Sequence, residues 1–91
     1  MKFNTGNIYM TRGIAHGIEE SEYFSLEILT AMNRYLDGDW GELCEYDQIL
    51  NDEAIQNDDR ILAKYLTSKD PIYIITEWDR SATTILFCNE Y

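Results

Sequence analysis

Glu77-Trp78-Asp79-Arg80 puts two carboxylates two positions apart beside an arginine. Two acids at a strand end can hold a divalent cation, and metal-activated water would make such a site hydrolytic. On that reading Glu77 and Asp79 centre a small metal-dependent hydrolase or nuclease. Further ligands would have to come from elsewhere, and no lysine follows at a spacing that completes a nuclease motif. The same residues also read as a turn opened by aspartate, with Arg80 paired to a neighbouring acid. His16 is the only histidine. A nucleophilic triad would need it beside Ser81 or Cys88, and an ordinary loop histidine is the simpler reading. Cys44 and Cys88 are too few and too far apart for a zinc site or a disulfide framework. Small apolar filling suits them, in a reducing compartment. Gly6, Gly13, Gly17, Gly38 and Gly41 match no phosphate-binding loop. The expectation is therefore no catalytic residue, no metal ligand set and no cofactor.

The chemistry that remains is charge. Residues 19–59 contain thirteen acids and one base, Arg34, for a net charge of −12. The rest of the chain has six bases and four acids, net +2, which brings the total to −10. Such a segment reads in two ways. It is a solvated face that keeps a small protein soluble, or a surface shaped for a basic groove. In the second case the carboxylates imitate phosphates, speed the encounter and give salt-dependent binding. The candidate partner-binding residues are Asp37, Asp39, Trp40, Glu42, Glu45, Asp52 and Glu53.

These residues need elements to hold them. Residues 7–14 favour a short strand through Ile8, Tyr9, Met10 and Thr11, followed by a bend at Gly13 and Gly17. Residues 21–36 form a helix with Ser21 as N-cap and Glu22 in its first turn. Phe24, Ile28, Ala31, Met32 and Tyr35 make its apolar stripe, widened by Leu29 and Leu36, and Gly38 ends it. Trp40-Gly41 is a hinge into a second helix over about residues 41–55, with Leu43, Tyr46, Leu50 and Ala54 on one side. Residues 60–66, 72–78 and 82–87 are β-rich and joined by short turns, which makes an antiparallel meander. The expected class is α+β: an antiparallel sheet, the N-terminal strand plus the three-stranded meander, with two helices packed on one face.

Ninety-one residues make one domain, 1–91. The hydrophobic fraction of 45% marks a folding sequence and not a disordered tail. The acid excess argues against direct nucleic-acid binding and against docking on anionic lipid. No apolar run approaches a membrane span, and the first residues hold no secretory h-region, so a cytoplasmic location is expected.

Longer stretches of the chain are also familiar. They are Met1-Lys2-Phe3-Asn4-Thr5-Gly6, Met10-Thr11-Arg12-Gly13-Ile14, Gly38-Asp39-Trp40-Gly41-Glu42-Leu43-Cys44-Glu45, Asn51-Asp52-Glu53-Ala54 and Arg60-Ile61-Leu62. To these add Ile74-Ile75-Thr76-Glu77-Trp78-Asp79-Arg80-Ser81-Ala82-Thr83-Thr84, Leu86-Phe87 and Glu90-Tyr91. Together they resemble a family of small bacterial and mobile-element proteins labelled "plasmid-related protein" or "type I restriction endonuclease subunit M". The second label does not fit, because 91 residues hold neither a methyltransferase cofactor fold nor its catalytic motif. The family places a proline after Leu-Phe where this chain has Cys88, which bears only on how the last strand exits. The resemblance implies a plasmid- or phage-borne accessory protein, and hence a restriction or CRISPR enzyme as the basic partner. It hands over no catalytic residues. A homodimer pairing through an open edge at the last strand is a further expectation.

Overall fold

The computed structural model describes residues 2–91. The elements are strand β1 (Asn7–Met10), helices α1 (Arg12–Glu20), α2 (Glu22–Leu36) and α3 (Glu45–Asn57), and strands β2 (Ile61–Tyr65), β3 (Ile72–Thr76) and β4 (Ala82–Phe87). A single 3₁₀ turn, Cys88–Glu90, follows. The class is α+β. The four strands form one sheet in the order β1-β4-β3-β2.

The meander β2-β3-β4 is antiparallel, but β1 runs parallel to β4, so the sheet is mixed and not purely antiparallel. A parallel pair needs a long crossover. Here everything between residues 11 and 81 supplies it. Strand β4 is therefore interior, paired on both sides, and the expected open edge at the last strand lies instead at β1.

Three helices stand where two were expected. The residues read as a bend after Met10 are α1, capped by Thr11, whose hydroxyl accepts from the Ile14 N–H at 3.3 Å. Its two glycines serve close approach and not turning. A Cβ on Gly17 would stand 2.8 Å from the Phe24 ring, and one on Gly13 would stand 2.7 Å from the Glu90 carboxylate. Helix α2 follows the sequence pattern: Ser21 caps it, accepting from the Phe24 N–H at 3.1 Å, and Phe24, Ile28, Ala31 and Tyr35 are buried. Leu36 is half-buried, whereas Leu29 is exposed and does not widen the stripe.

The core lies between this stripe and one face of the sheet. Ile14 of α1 and Ala54 of α3 join Ile61, Ala63, Tyr65, Ile72, Ile74 and Ile85 there. Fully burying each Ile or Phe contributes about 1.5–3 kcal/mol. A chain of hydroxyls crosses this core. Thr83 Oγ donates to the Thr5 carbonyl at 2.8 Å. Having spent its only proton, Thr83 must accept from Thr76 at 2.7 Å, and Thr76 from Tyr35 at 2.7 Å. One directed chain thus ties α2, two strands and the segment before β1 together. Burial raises the Tyr35 phenol well above its ordinary range, which keeps it a donor.

The other face of the sheet carries Ile75 and Leu86, which are also buried. Tyr91 packs edge-on against Tyr73, 5.5 Å between centroids, and the Arg60 guanidinium sits 5.4 Å over the Tyr91 ring. Trp78, expected at the end of a strand, lies in the β3–β4 turn and is 64% exposed.

Candidate functional site

The acidic half of the chain converges on α3 and on the segment that leads into it. Trp40-Gly41-Glu42 does not begin the helix. It runs beside β2: the Lys64 N–H donates to the Trp40 carbonyl at 3.3 Å, and the Glu42 N–H to the Lys64 carbonyl at 2.7 Å. Gly41 adopts φ +74° and lies so close to the Lys64 carbonyl that no Cβ fits. One turn further, Asn51 of α3 completes the seal. Its Nδ2 donates to the Leu62 carbonyl at 2.8 Å, and its Oδ1 accepts from the Leu62 N–H at 3.3 Å. All four outward backbone groups of Leu62 and Lys64 are thus satisfied. The β2 edge, which would otherwise invite another strand, is closed.

This docking explains why the expected apolar side of α3 is not the buried one. Asn51 and Ala54 are its buried residues. Tyr46 and Leu50 point to solvent, Leu43 is half-buried, and only Ala54 of the expected set is in the core. A helix that covers a sheet edge needs an amide and a small residue there, not a wide stripe.

The candidate partner-binding residues divide into two groups. Asp39, Trp40 and Asp52 hold the structure. Trp40 is 3% exposed and packs against Phe3 and Tyr35, so it is a core residue and not a contact for a partner. Its indole Nε1 donates to Asp52 at 2.9 Å. Asp39 receives a two-pronged guanidinium from Arg34, at 2.8 and 3.3 Å, and also the Gly41 N–H at 3.1 Å. The Arg34 hydrogen bonds hold the Asp39 carboxyl below its usual range. Arg34 is thereby committed to Asp39, with Glu42 also within reach of its charge.

Asp37, Glu42, Glu45 and Glu53 form the second group. They are exposed, and among the described residues no ion pair holds their side chains, although Glu42 lies within reach of the Arg34 charge. Asp47 shares this state and was missed as a candidate. Its signal lay in the composition: Glu45–Asn57 contains four acids and neither Lys nor Arg. Tyr46, 69% exposed, and Ile49, 47% exposed, sit on the side of Glu45 and Glu53, whereas Asp47 lies on the side of Asn51 and Ala54. A cleft of about 420 Å³ opens where α3 meets β2, lined by Leu43, Asp47, Leu50, Arg60 and Leu62 among others. Helix α3 therefore presents uncompensated negative charge with apolar anchors set into it.

The other sequence candidates do not assemble into a catalytic arrangement. The Asp79 carboxylate accepts from the Ser81 N–H at 3.0 Å, opening the β3–β4 turn; the bonds from Ser81 hold it below its usual range. Among the described residues Arg80 pairs with no acid. With φ +60°, it turns inward and donates to the backbone carbonyls of Ala54, Asp59 and Glu77, at 2.8, 2.7 and 3.1 Å. It closes the end of α3. Among the described residues no three His, Cys, Asp or Glu side chains gather in a way that could hold a metal ion. His16 stands on α1 with Nε2 3.5 Å from Glu20, beside a shallow cleft lined by Lys69, Asp70 and Phe87 and not by Ser81 or Cys88. Cys44 is exposed and precedes α3; Cys88 is half-buried, and burial raises its thiol.

Among the described residues no helix is long and apolar enough to cross a membrane. No protein-family model, no curated protein and no solved structure matches this chain.

Proposed function

We propose that this chain is a non-enzymatic protein-binding module whose α3 occupies the phosphate-binding surface of a basic, nucleic-acid-binding partner. The observation that carries the reading is the exposed side of α3. Glu45 and Glu53 stand there beside Tyr46 and Ile49, with no ion-pair partner among the described residues, and Asp47 adds charge at the neighbouring cleft. Bare carboxylates repel one another and cost stability, so a face that keeps them and adds exposed aromatic area fits recognition better than solubility alone. Glu42 and Asp37 extend the same charge along the approach to α3. The family resemblance sets this in a plasmid or phage context. There the partner is a restriction or CRISPR nuclease, met in the cytoplasm and released from its nucleic acid.

The test is capture of partners from a bacterial lysate at low and at high salt. The bait is either the wild-type chain or a variant with Glu45→Lys, Asp47→Lys and Glu53→Lys. Asp39 and Asp52 are left intact because they hold Arg34 and Trp40. The proposal expects a nucleic-acid-binding protein that elutes with salt and is lost with the variant, while circular dichroism shows both baits folded. Capture that survives the charge reversal contradicts it.

A further inference from the structure

We infer that two copies of this chain pair through β1, edge to edge, to form one continuous sheet. The two edges of the sheet are treated differently. The β2 edge is sealed by Asn51 and by residues 40–42. The β1 edge is bare: Ile8, Tyr9 and Met10 are 52, 55 and 46% exposed, and the strand carries no charge, proline or glycine that would guard it.

The backbone fixes how a second copy must fit. The Asn7 N–H donates to the Ser81 carbonyl at 3.1 Å, and the Thr11 N–H to the Ile85 carbonyl at 3.1 Å. Residues alternate in a strand, so the odd positions bond inward to β4 and Ile8 and Met10 turn their N–H and C=O outward. An antiparallel copy is satisfied best when Ile8 faces Met10 of the second copy, each pair exchanging both N–H···O bonds. Tyr9 then meets its own counterpart on the two-fold axis, in the close, non-hydrogen-bonded position that favours aromatic pairs. The register is self-complementary, as a two-fold contact requires.

Charge selects the same occupant. Helix α3 lies along the β2 edge, at the far side of the sheet from β1, so two molecules of net charge −10 meet at the edge remote from that helix. The antiparallel pairing also brings the Met10 end of β1, after which α1 opens with Arg12, toward the Gly6 end of the second copy; Arg12 has no ion-pair partner among the described residues. Gly6 packs against the Arg80–Ser81 backbone, in the turn that carries Asp79. Each copy thus offers a cation to the other's anionic turn.

Light scattering over a wide concentration series, up to millimolar, reads the mass directly. The expected result is a rise from the 10.7 kDa chain toward twice that mass, favoured by added salt, since repulsion opposes the pairing. That sign is opposite to the one expected for binding through α3. Met10→Pro removes one outward N–H and leaves the bonds to β4 in place, so it should return the protein to monomer with its circular dichroism unchanged. Should Met10→Pro disturb folding, Tyr9→Cys with Cys44→Ser and Cys88→Ser gives a second reading. Oxidation should link that variant into a disulfide dimer, and Leu26→Cys in the same background should not. A chain that stays monomeric throughout, a dimer unmoved by Met10→Pro in a folded protein, or linkage no faster at Tyr9 than at Leu26 overturns the inference.

Discussion

Thr83 shows how much one hydroxyl can carry. Its proton is committed to the Thr5 carbonyl, and its lone pair receives Thr76. Thr83→Val keeps the shape but strands a buried carbonyl and a buried donor. It should cost about 1–3 kcal/mol in urea unfolding. Tyr35→Phe removes only the head of the chain and should cost about 1 kcal/mol. Equal losses for the two would deny that the chain has a direction. Asp39 gives a pH signature. Arg34 depresses its pKa in the folded state, so its stabilisation is present above the ordinary carboxylate value, about 3.9. It fades as pH falls through the lower folded value. The pair is largely exposed, so Asp39→Asn should cost under about 1 kcal/mol at neutral pH. The gap between variant and wild type should shrink on acidification; a gap that widens would contradict the assignment. The sequence showed Tyr35 as a stripe residue, but not its hydroxyl partner 41 positions away. It left Trp40 and Trp78 open between core and interface, and only Trp40 is core. Spacing reports which face a side chain occupies, and a hydrogen bond across the core depends on packing.

At the scale of elements, α3 stays in place through a few specific contacts rather than a broad apolar face. Asn51→Ala should leave the Leu62 N–H and C=O without partners and cost about 1–3 kcal/mol. The variant should also self-associate more, because the β2 edge is reopened; unchanged stability and mass would show that Asn51 does not seal the edge. The same contacts explain what was readable beforehand. The meander strands and α2 were plain in the sequence, because a helix or strand lying flat on a core must repeat its apolar residues with its own period. Helix α1 was hidden by Gly13 and Gly17, which signal turns in isolation and here permit contact with Glu90 and Phe24. The start of α3 was misplaced because residues 40–42 pair with β2. The parallel seating of β1 was not legible at all, since direction in a sheet is set by tertiary pairing and not by local pattern.

For the molecule as a whole, charge is the largest single fact. A fold of net charge −10, whose residues 19–59 alone carry a net −12, pays for that density in self-repulsion. Melting temperature should therefore climb with salt, up to about 1 M where screening reaches about 3 Å. A flat response would mean the carboxylates lie too far apart to matter. The acid excess and its placement were legible from composition alone. Which carboxylates are spoken for was not, because Asp39 and Asp52 differ from Glu45 and Asp47 only in their three-dimensional neighbours. The central claim is that α3 stands in for nucleic acid. The most direct measurement is competition: a fluorescent DNA or RNA duplex bound to the captured partner, titrated with this protein. The account predicts displacement of the duplex by the wild-type chain and none by the variant carrying Glu45→Lys, Asp47→Lys and Glu53→Lys. A ternary complex that retains the duplex, or displacement by both proteins alike, would contradict it.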